Sequence, residues 1–336
     1  MNMTRRAAIA TLGGAVIAPL AGTSAALPSE TPVTLNTPTG DISGTLTFPD
    51  GISQECSTGC AIAAPLVLII AGSGPTDRDG NSTLGIKTDS YKLLAQALAA
   101  RGIGSVRYDK RGIGASAAAA TSESDLRFET YVDDAVGWLE MFRATRRSPP
   151  RFQRFYVAGH SEGSLIGMIA GARANVAGYI SLCGAGRPAY AVIHDQLAPQ
   201  LPPDQLAQAD AIMAKLRSGE QVADVPATPA FAALFHASIQ PYLISWFKYD
   251  PAVEITKLTC ATAIVGGTKD VQVPVAEAQL LFVAAPKAKL TIVDGLSHTL
   301  KRVDPAAGVT QQRTYTDPSI PLDRAVVEAV AGLVQH

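Results

Sequence analysis

The sequence predicts an α/β protein with a mostly parallel central sheet, helices on both of its faces and a helical insertion. Three observations carry that expectation. Apolar, β-branched runs suited to strands buried on both faces recur along the chain, each followed by a segment with apolar residues three and four apart. Four such strand–helix repeats follow one another and then stop near residue 186. The pattern resumes near residue 260, so 27–185 and 260–336 form the core and 186–259 is the insertion.

Residues 1–26 stand apart from this pattern. Arg5 and Arg6 precede a mild apolar run and a string of small residues, which reads as a twin-arginine export signal cleaved after Ala25 or Ala26. The rival reading is a membrane anchor. The run 7–20 is broken by Gly13, Gly14 and Pro19 and is short for a bilayer span, so no stable anchor is expected once the signal is removed. The mature chain is then periplasmic or secreted, in an oxidising compartment. Cys56 and Cys60 in "ECSTGC" are either a small disulfide or two thiols.

The segment 33–49 alternates apolar and polar residues around Thr-Gly-Asp and reads as an antiparallel hairpin. "PLVLIIAG" (65–72) is a buried strand, and 89–102 is a helix stopped by Gly102. Strand "GSVRYD" (104–109) is followed by helix 126–144. Strand "RFYVAG" (154–159) is followed by helix 164–174, and strand 177–183 closes the run. The insertion has Pro-rich joints and amphipathic helical pieces. After it come strand 261–267, helix 274–285, strand 288–295 and a last helix from about Leu322. Cys183 and Cys260 fall at opposite ends of neighbouring parallel strands. A strand of about six residues is roughly 20 Å long, beyond the ~7 Å that a disulfide spans. Both are expected as buried free thiols.

The chain has 336 residues, 47% hydrophobic and 17% charged, with a net charge of −1. That is a globular composition, and no basic run is present to track a phosphate backbone, so nucleic acid is not an expected partner. No Cys/His set has zinc-site spacing. "DRDGN" raises calcium, but it lacks an EF-hand's ligand spacing and reads as a structured turn. No metal or organic cofactor is expected, and oligomeric state is not legible.

"VAGHSEGSLIG" carries the chemistry. Gly159-His160-Ser161-Glu162-Gly163 fits G-x-S-x-G between a strand and a helix, the context that makes the motif meaningful. Its turn is too tight for a Cβ on either flank, and the helix N-terminus favours developing negative charge. Ser161 is the candidate nucleophile. Among five histidines, His336 is terminal, and His194 and His236 lie in the insertion. His160 is next to Ser161 on a sharp elbow, where adjacent side chains diverge, so it is read as a neighbour that packs or shapes the pocket. His298, in the loop after the last predicted strand, is the candidate base. Asp270, in the loop after strand 261–267, is the candidate acid; the bland alternative is a turn carboxylate capping the next helix. The order Ser161, Asp270, His298 is the one this topology requires. The oxyanion donors are expected to be the backbone amides of Glu162 and of Ser73, with Gly74 second to Ser73.

On these residues the chain resembles the α/β-hydrolase superfamily over nearly its whole mature length. "YDKRGIGAS" is similar to that superfamily's Asp-x-Arg-Gly-x-Gly-x-Ser loop, and "AGSGPTDRDGN" resembles a bacterial branch of exported esterases or serine-aminopeptidase-like hydrolases. In many relatives a histidine precedes the first glycine of the oxyanion loop; here it is Ala71. The resemblance implies that the insertion caps the pocket. Its most aromatic stretch, "FHASIQPYLISWFKYDP", makes Tyr242 and Trp246 candidate substrate contacts, against the plainer reading of a helix packing its own apolar face.

Three functions follow. One is hydrolysis of a small-molecule carboxylic ester. Another is removal of N-terminal residues from peptides, which needs a carboxylate cluster for the substrate ammonium. Asp195, Asp204, Asp210, Glu220 and Asp224 are scattered over the insertion without an evident cluster, which favours the ester. The third is a non-catalytic binding protein on the same scaffold, against which the complete triad argues.

Overall fold

A computed structural model describes residues 28–49, 64–120, 122–144 and 152–335. The export signal and the Cys56/Cys60 pair lie outside the described residues. Strands β1 (Glu30–Thr37) and β2 (Gly40–Thr47) form the expected hairpin, with Thr37 opposite Gly40. The sheet continues with β3 (Ala64–Ile70), β4 (Gly104–Tyr108), β5 (Phe152–His160), β6 (Gly178–Leu182), β7 (Ala261–Gly267) and β8 (Lys289–Val293). The eight strands lie in the order β1-β2-β4-β3-β5-β6-β7-β8. β2 pairs antiparallel with β1 and β4; every later pairing is parallel.

Period-two alternation sends the two faces of each central strand to two apolar layers. Leu66, Leu68 and Ile70 of β3 face one, Val67 and Ile69 the other. The first layer is closed by helices α2 (Phe128–Ala144) and α3 (Glu162–Ala174). Phe128, Val132, Ala135, Trp138, Leu139 and Phe142 line the buried stripe of α2. Trp138 is fully buried, so truncating it to alanine would cost about 3–5 kcal/mol. The second layer is closed by α1 (Ser90–Ala99) and, as shown below, by the last helix.

Between β6 and β7 the chain forms α4 (Ala189–Leu197), α5 (Pro203–Arg217), α6 (Pro229–Phe235), α7 (Gln240–Trp246) and α8 (Pro251–Glu254). Proline occupies the first turn of α5 through α8, where its missing N–H costs nothing. After β7 come α9 (Val275–Ala284), α10 (Gln311–Thr316) and α11 (Arg324–Gln335). α11 closes the second layer with Val326, Val327, Val330 and Val334. Cys183 ends β6 and Cys260 precedes β7; both are free thiols. Cys183 is buried, but Cys260 is only partly so, because it sits in the loop before β7 rather than within the sheet. Among the described residues no helix is long and apolar enough to cross a membrane.

Candidate active site

β3 and β5 are neighbours, with Ile70 opposite Gly159, so the loops that leave them start side by side. From β3 the chain steps to β4 on one flank and then to β5 on the other, which makes this junction the switch point of the sheet. Ser161 sits there with φ 55° and ψ −121°. A non-glycine residue in such a conformation stores about 1–3 kcal/mol and persists only where its surroundings impose it. They do. Its N–H donates to the Leu182 carbonyl at 3.0 Å, and its carbonyl accepts from Ser164 N–H at 3.0 Å. A Cβ on Gly159 would strike the Gly163 carbonyl, and one on Gly163 would strike the Ile70 carbonyl, so both flanking glycines are required.

The alternation of β5 explains the division between His160 and Ser161. Tyr156 and Ala158 face the layer that holds α1, and His160 continues that row. Its Nε2 lies 2.7 Å from the His298 carbonyl. A carbonyl only accepts, so Nε2 carries the proton. Burial, first, and then nearby His298 push its pKa down to about 3, so the ring is neutral and Nδ1 is bare. Nδ1 therefore accepts from Tyr91 Oη at 2.8 Å, and Tyr91 Oη accepts from Gly72 N–H at 3.1 Å. Both ring nitrogens are committed. His160 links the His298 backbone to the loop after β3.

Asp270 follows β7, and His298 follows β8. His298 Nδ1 donates to Asp270 Oδ2 at 2.8 Å, which leaves Nε2 as the acceptor of the ring. Asp270 Oδ1 accepts from the amides of Gln272 and Val273, both at 2.9 Å. Burial pushes the Asp270 carboxyl up, but His298 and these amides outweigh it and hold its pKa below the ordinary value. The His298 loop is pinned by Ser90 Oγ, which donates to the Thr299 carbonyl at 2.7 Å. Ser161 and His298 line one cavity together. Asp270 is tied to the chain ahead of α9, as the turn reading expected, but its other oxygen is given to His298.

Glu162 begins α3, so its N–H has no acceptor within the helix. Ser73 is exposed in the loop after β3 and borders the same two cavities as Ser161. Gly72 is clamped on both sides: its N–H by Tyr91 and its carbonyl by Lys110 Nζ at 2.7 Å. A Cβ on Gly72 would lie 3.1 Å from Ser161 Cβ, so the loop passes very close to Ser161. Lys110 Nζ also bonds Glu162 Oε2 at 2.9 Å, and Tyr242 Oη of α7 donates to Glu162 Oε1 at 2.7 Å. Sequence reasoning missed Lys110. Its signal is its place two residues past β4, inside "YDKRGIGAS", in one of the strand-end loops that gather at the elbow. The aspartate of that motif, Asp109, braces the loop after β3 by accepting from the Arg78 amide at 2.7 Å and the Ala115 amide at 2.9 Å. "DRDGN" is a structured turn: Asp77 Oδ1 accepts from the amides of Asp79 and Asn81.

Two cavities meet at Ser161. The smaller, about 90 Å³, is lined by Thr88, Tyr91, His298, Thr299 and Tyr315 among others. The larger, about 330 Å³, is lined by Leu165, Val192, Ile193, Leu243 and Val273, and by both Tyr242 and Trp246. Among the described residues, the one group able to offer a metal three ligand atoms is Cys183, Asp270 and His298, all within 4.8 Å. Asp270 and His298 are bonded to each other, and the second oxygen of Asp270 accepts from two backbone amides. The set does not suit a resident ion.

This sheet, with a strand–elbow–helix serine and with acid and histidine loops at adjacent strand ends, is the α/β-hydrolase fold. The model of the serine aminopeptidase S33 family matches residues 84–304, a span that holds Ser161, Asp270 and His298 but begins after Ser73, and the chain belongs to that family. It is 24% identical over 239 residues to esterase EstD of Thermotoga maritima, covering 70% of this chain and 54% of that one. The chain thus spans about half the length of that curated relative. Est1E from Butyrivibrio proteoclasticus superposes with a TM-score of 0.55 at 16% identity, over 90% of this chain and 97% of that one. A puromycin-hydrolysing peptidase of Mycobacterium tuberculosis superposes with a TM-score of 0.53 at 17% identity, over 91% of this chain and 40% of that one. A thermophilic esterase from Thermogutta terrifontis superposes with a TM-score of 0.52 at 15% identity, over 91% of this chain and 98% of that one, so the fold alone does not choose between esterase and peptidase.

Proposed function

We propose that this chain is a serine hydrolase that cleaves carboxylic esters through an acyl-enzyme on Ser161, with His298 as general base and acid and Asp270 as its orienting carboxylate. The observation that carries this reading is the Asp270–His298 bond, which leaves Nε2 as the acceptor of a ring that lines one cavity with Ser161. Ser161 Oγ attacks the ester carbonyl carbon and gives its proton to His298 Nε2. The carbonyl oxygen becomes an anion held by the amides of Ser73 and Glu162. When the C–O bond breaks, the proton passes from His298 to the departing alkoxide, and water repeats the sequence on the acyl group.

The same logic assigns the cavities. The leaving oxygen must reach His298, so the alcohol lies in the small, hydroxyl-rich cavity that His298 lines. The acyl group takes the larger, apolar one, beneath the helices between β6 and β7, which we read as a cap over 186–259. The substrate class is an ester with a bulky apolar acyl group and a small alcohol. A peptidase that holds a substrate ammonium is less well supported. Glu162 is the one carboxylate among the described residues lining the larger cavity, and Lys110 and Tyr242 already occupy it. Asp195 is paired with Arg187, and Asp210 with His194. The paired arginines and apolar run at the N-terminus support export to the periplasm or beyond.

A panel of p-nitrophenyl esters of rising acyl length, methyl against longer alkyl esters, and amino-acid p-nitroanilides tests this reading. Esters of long or aryl acids with methyl alcohol should give the highest kcat/KM. Faster cleavage of the anilides would overturn it in favour of the peptidase.

A further inference from the structure

The Lys110–Glu162–Tyr242 chain lies beside the reacting groups, yet none of its side chains takes part in the steps above. Lys110 and Glu162 are almost wholly buried, each with 3% of its side chain exposed. Lys110 Nζ lies 4.9 Å from the centre of the Tyr131 ring, which closes the site from a third side. A buried ion pair of this kind adds little net stability, because desolvation offsets the attraction. What it does here is geometric. The Gly72 carbonyl that Lys110 binds belongs to the same peptide group as the Ser73 N–H. In a trans peptide the carbonyl and the N–H point to opposite sides. Lys110 lines neither cavity at Ser161, whereas Ser73 lines both. Binding the carbonyl from behind therefore turns the N–H toward the cavities. A cation on the carbonyl oxygen also polarises the amide and makes its N–H a stronger donor. The other end of the ion pair is the side chain of Glu162, whose own backbone N–H is the second donor.

We propose that Lys110 is a positioning residue of the oxyanion hole: its ammonium fixes and polarises the Gly72–Ser73 peptide, and its ion pair with Glu162 ties that donor to the other. This rests on the serine-hydrolase reading. It predicts that loss of Lys110 weakens transition-state binding and leaves ground-state binding nearly intact.

The test compares the wild type with Lys110→Met, Glu162→Gln and the double variant Lys110→Met/Glu162→Gln. The double variant leaves no unpaired buried charge, so it folds where the single one is strained. Melting temperature, kcat and KM on one p-nitrophenyl ester, and the backbone amide resonance of Ser73, are measured on each. In the double variant we expect near wild-type melting, a kcat lower by roughly tenfold to a hundredfold, and a KM within about threefold of wild type. The Ser73 amide resonance should move. An unmoved Ser73 resonance, or a double variant whose kcat recovers with its melting temperature, overturns the proposal and makes Lys110 a packing residue. Failure of the underlying reading shows separately, as a wild type without esterase activity or an active Ser161→Ala, while the Ser73 resonance still reports on Lys110.

Discussion

On the base side of the proposed mechanism the groups are side chains held by side chains. His298 is aimed by Asp270, and its backbone is held by His160, which is held in turn by Tyr91. All four stand on the sheet core or on α1 and the loops that abut it. On the proposed oxyanion side the groups are two backbone amides, of Ser73 and Glu162, with Lys110 bonded to the Gly72 carbonyl and to the Glu162 side chain. That side reaches out of the core, because Tyr242 of α7 bonds the same Glu162 that pairs with Lys110. The contrast predicts two kinds of sensitivity. Substitution of His298 on the base side would remove a reacting atom, whereas substitution of Lys110 or Tyr242 on the oxyanion side would shift an atom that remains.

The largest effect belongs to the residue both sides share. Ser161→Ala should lower ester hydrolysis by about four to six orders of magnitude and abolish labelling by a fluorophosphonate, with the melting curve retained. Activity within tenfold of wild type would remove Ser161 from the mechanism. Next come His298→Ala and Asp270→Asn, each expected to lose about three to four orders of magnitude in kcat. Steady-state kinetics that showed Asp270→Asn within tenfold of wild type would reduce Asp270 to a turn residue.

His160→Gln should separate support from chemistry, with a loss of tenfold or less in kcat and a distinctive pH signature in stability. The folded ring protonates only near pH 3, against 6.5 for an unperturbed histidine. Below pH 6.5 the unfolded chain takes up a proton that the folded ring refuses. His160 thus contributes its full stability above pH 6.5 and loses it as pH falls toward 3, by up to about 1.4 kcal/mol per pH unit. Thermal melts at pH 7.5, 6 and 5 should show a shallower acid decline in His160→Gln. Parallel declines would mean that the folded ring is protonated with the rest.

Of similar size is Tyr242→Phe, which leaves Lys110 on Glu162 but removes the tie to α7. A kcat lower by about threefold to tenfold is expected, the equivalent of ~1 kcal/mol. A loss as large as that of His298→Ala would reverse the contrast between the two sides. Chelation should do nothing. Activity that fell in EDTA and returned with zinc would point to a metal on the Cys183 side of Asp270.

How legible these two sides were in the sequence follows from the same contrast. The sheet was readable because strands buried on both faces are uniformly apolar, as in "PLVLIIAG" and "ATAIVGG". α10, "QQRTYT", was not, since one polar turn has no apolar period to detect. The base side was readable because its members sit at strand ends, where topology alone gathers them. Its supporting layer was not: the Tyr91–His160 bond joins positions 69 apart, and only the alternation of β5 against α1 explains it. Around the Ser73 and Glu162 amides the side-chain network was unreadable, because the Lys110–Glu162 pair spans 52 positions and the Tyr242–Glu162 bond 80. No local spacing encodes such pairs.

The conformation at Ser161 has a consequence for how the active molecule comes into being. The elbow is imposed by a carbonyl at the end of β6, by the end of β3 against Gly163, and by Gly72 against the serine itself. Strands β3, β5 and β6 must therefore be assembled before this elbow exists at all. Parallel strands with intervening helices come together late and slowly, because their pairings are distant in the chain. A nascent, extended or half-folded chain holds the same serine in an ordinary conformation, with ordinary alcohol reactivity. On the serine-hydrolase reading, the chain stays silent to a serine-directed probe at least until β3, β5 and β6 have come together, and the fraction labelled during refolding counts molecules past that stage.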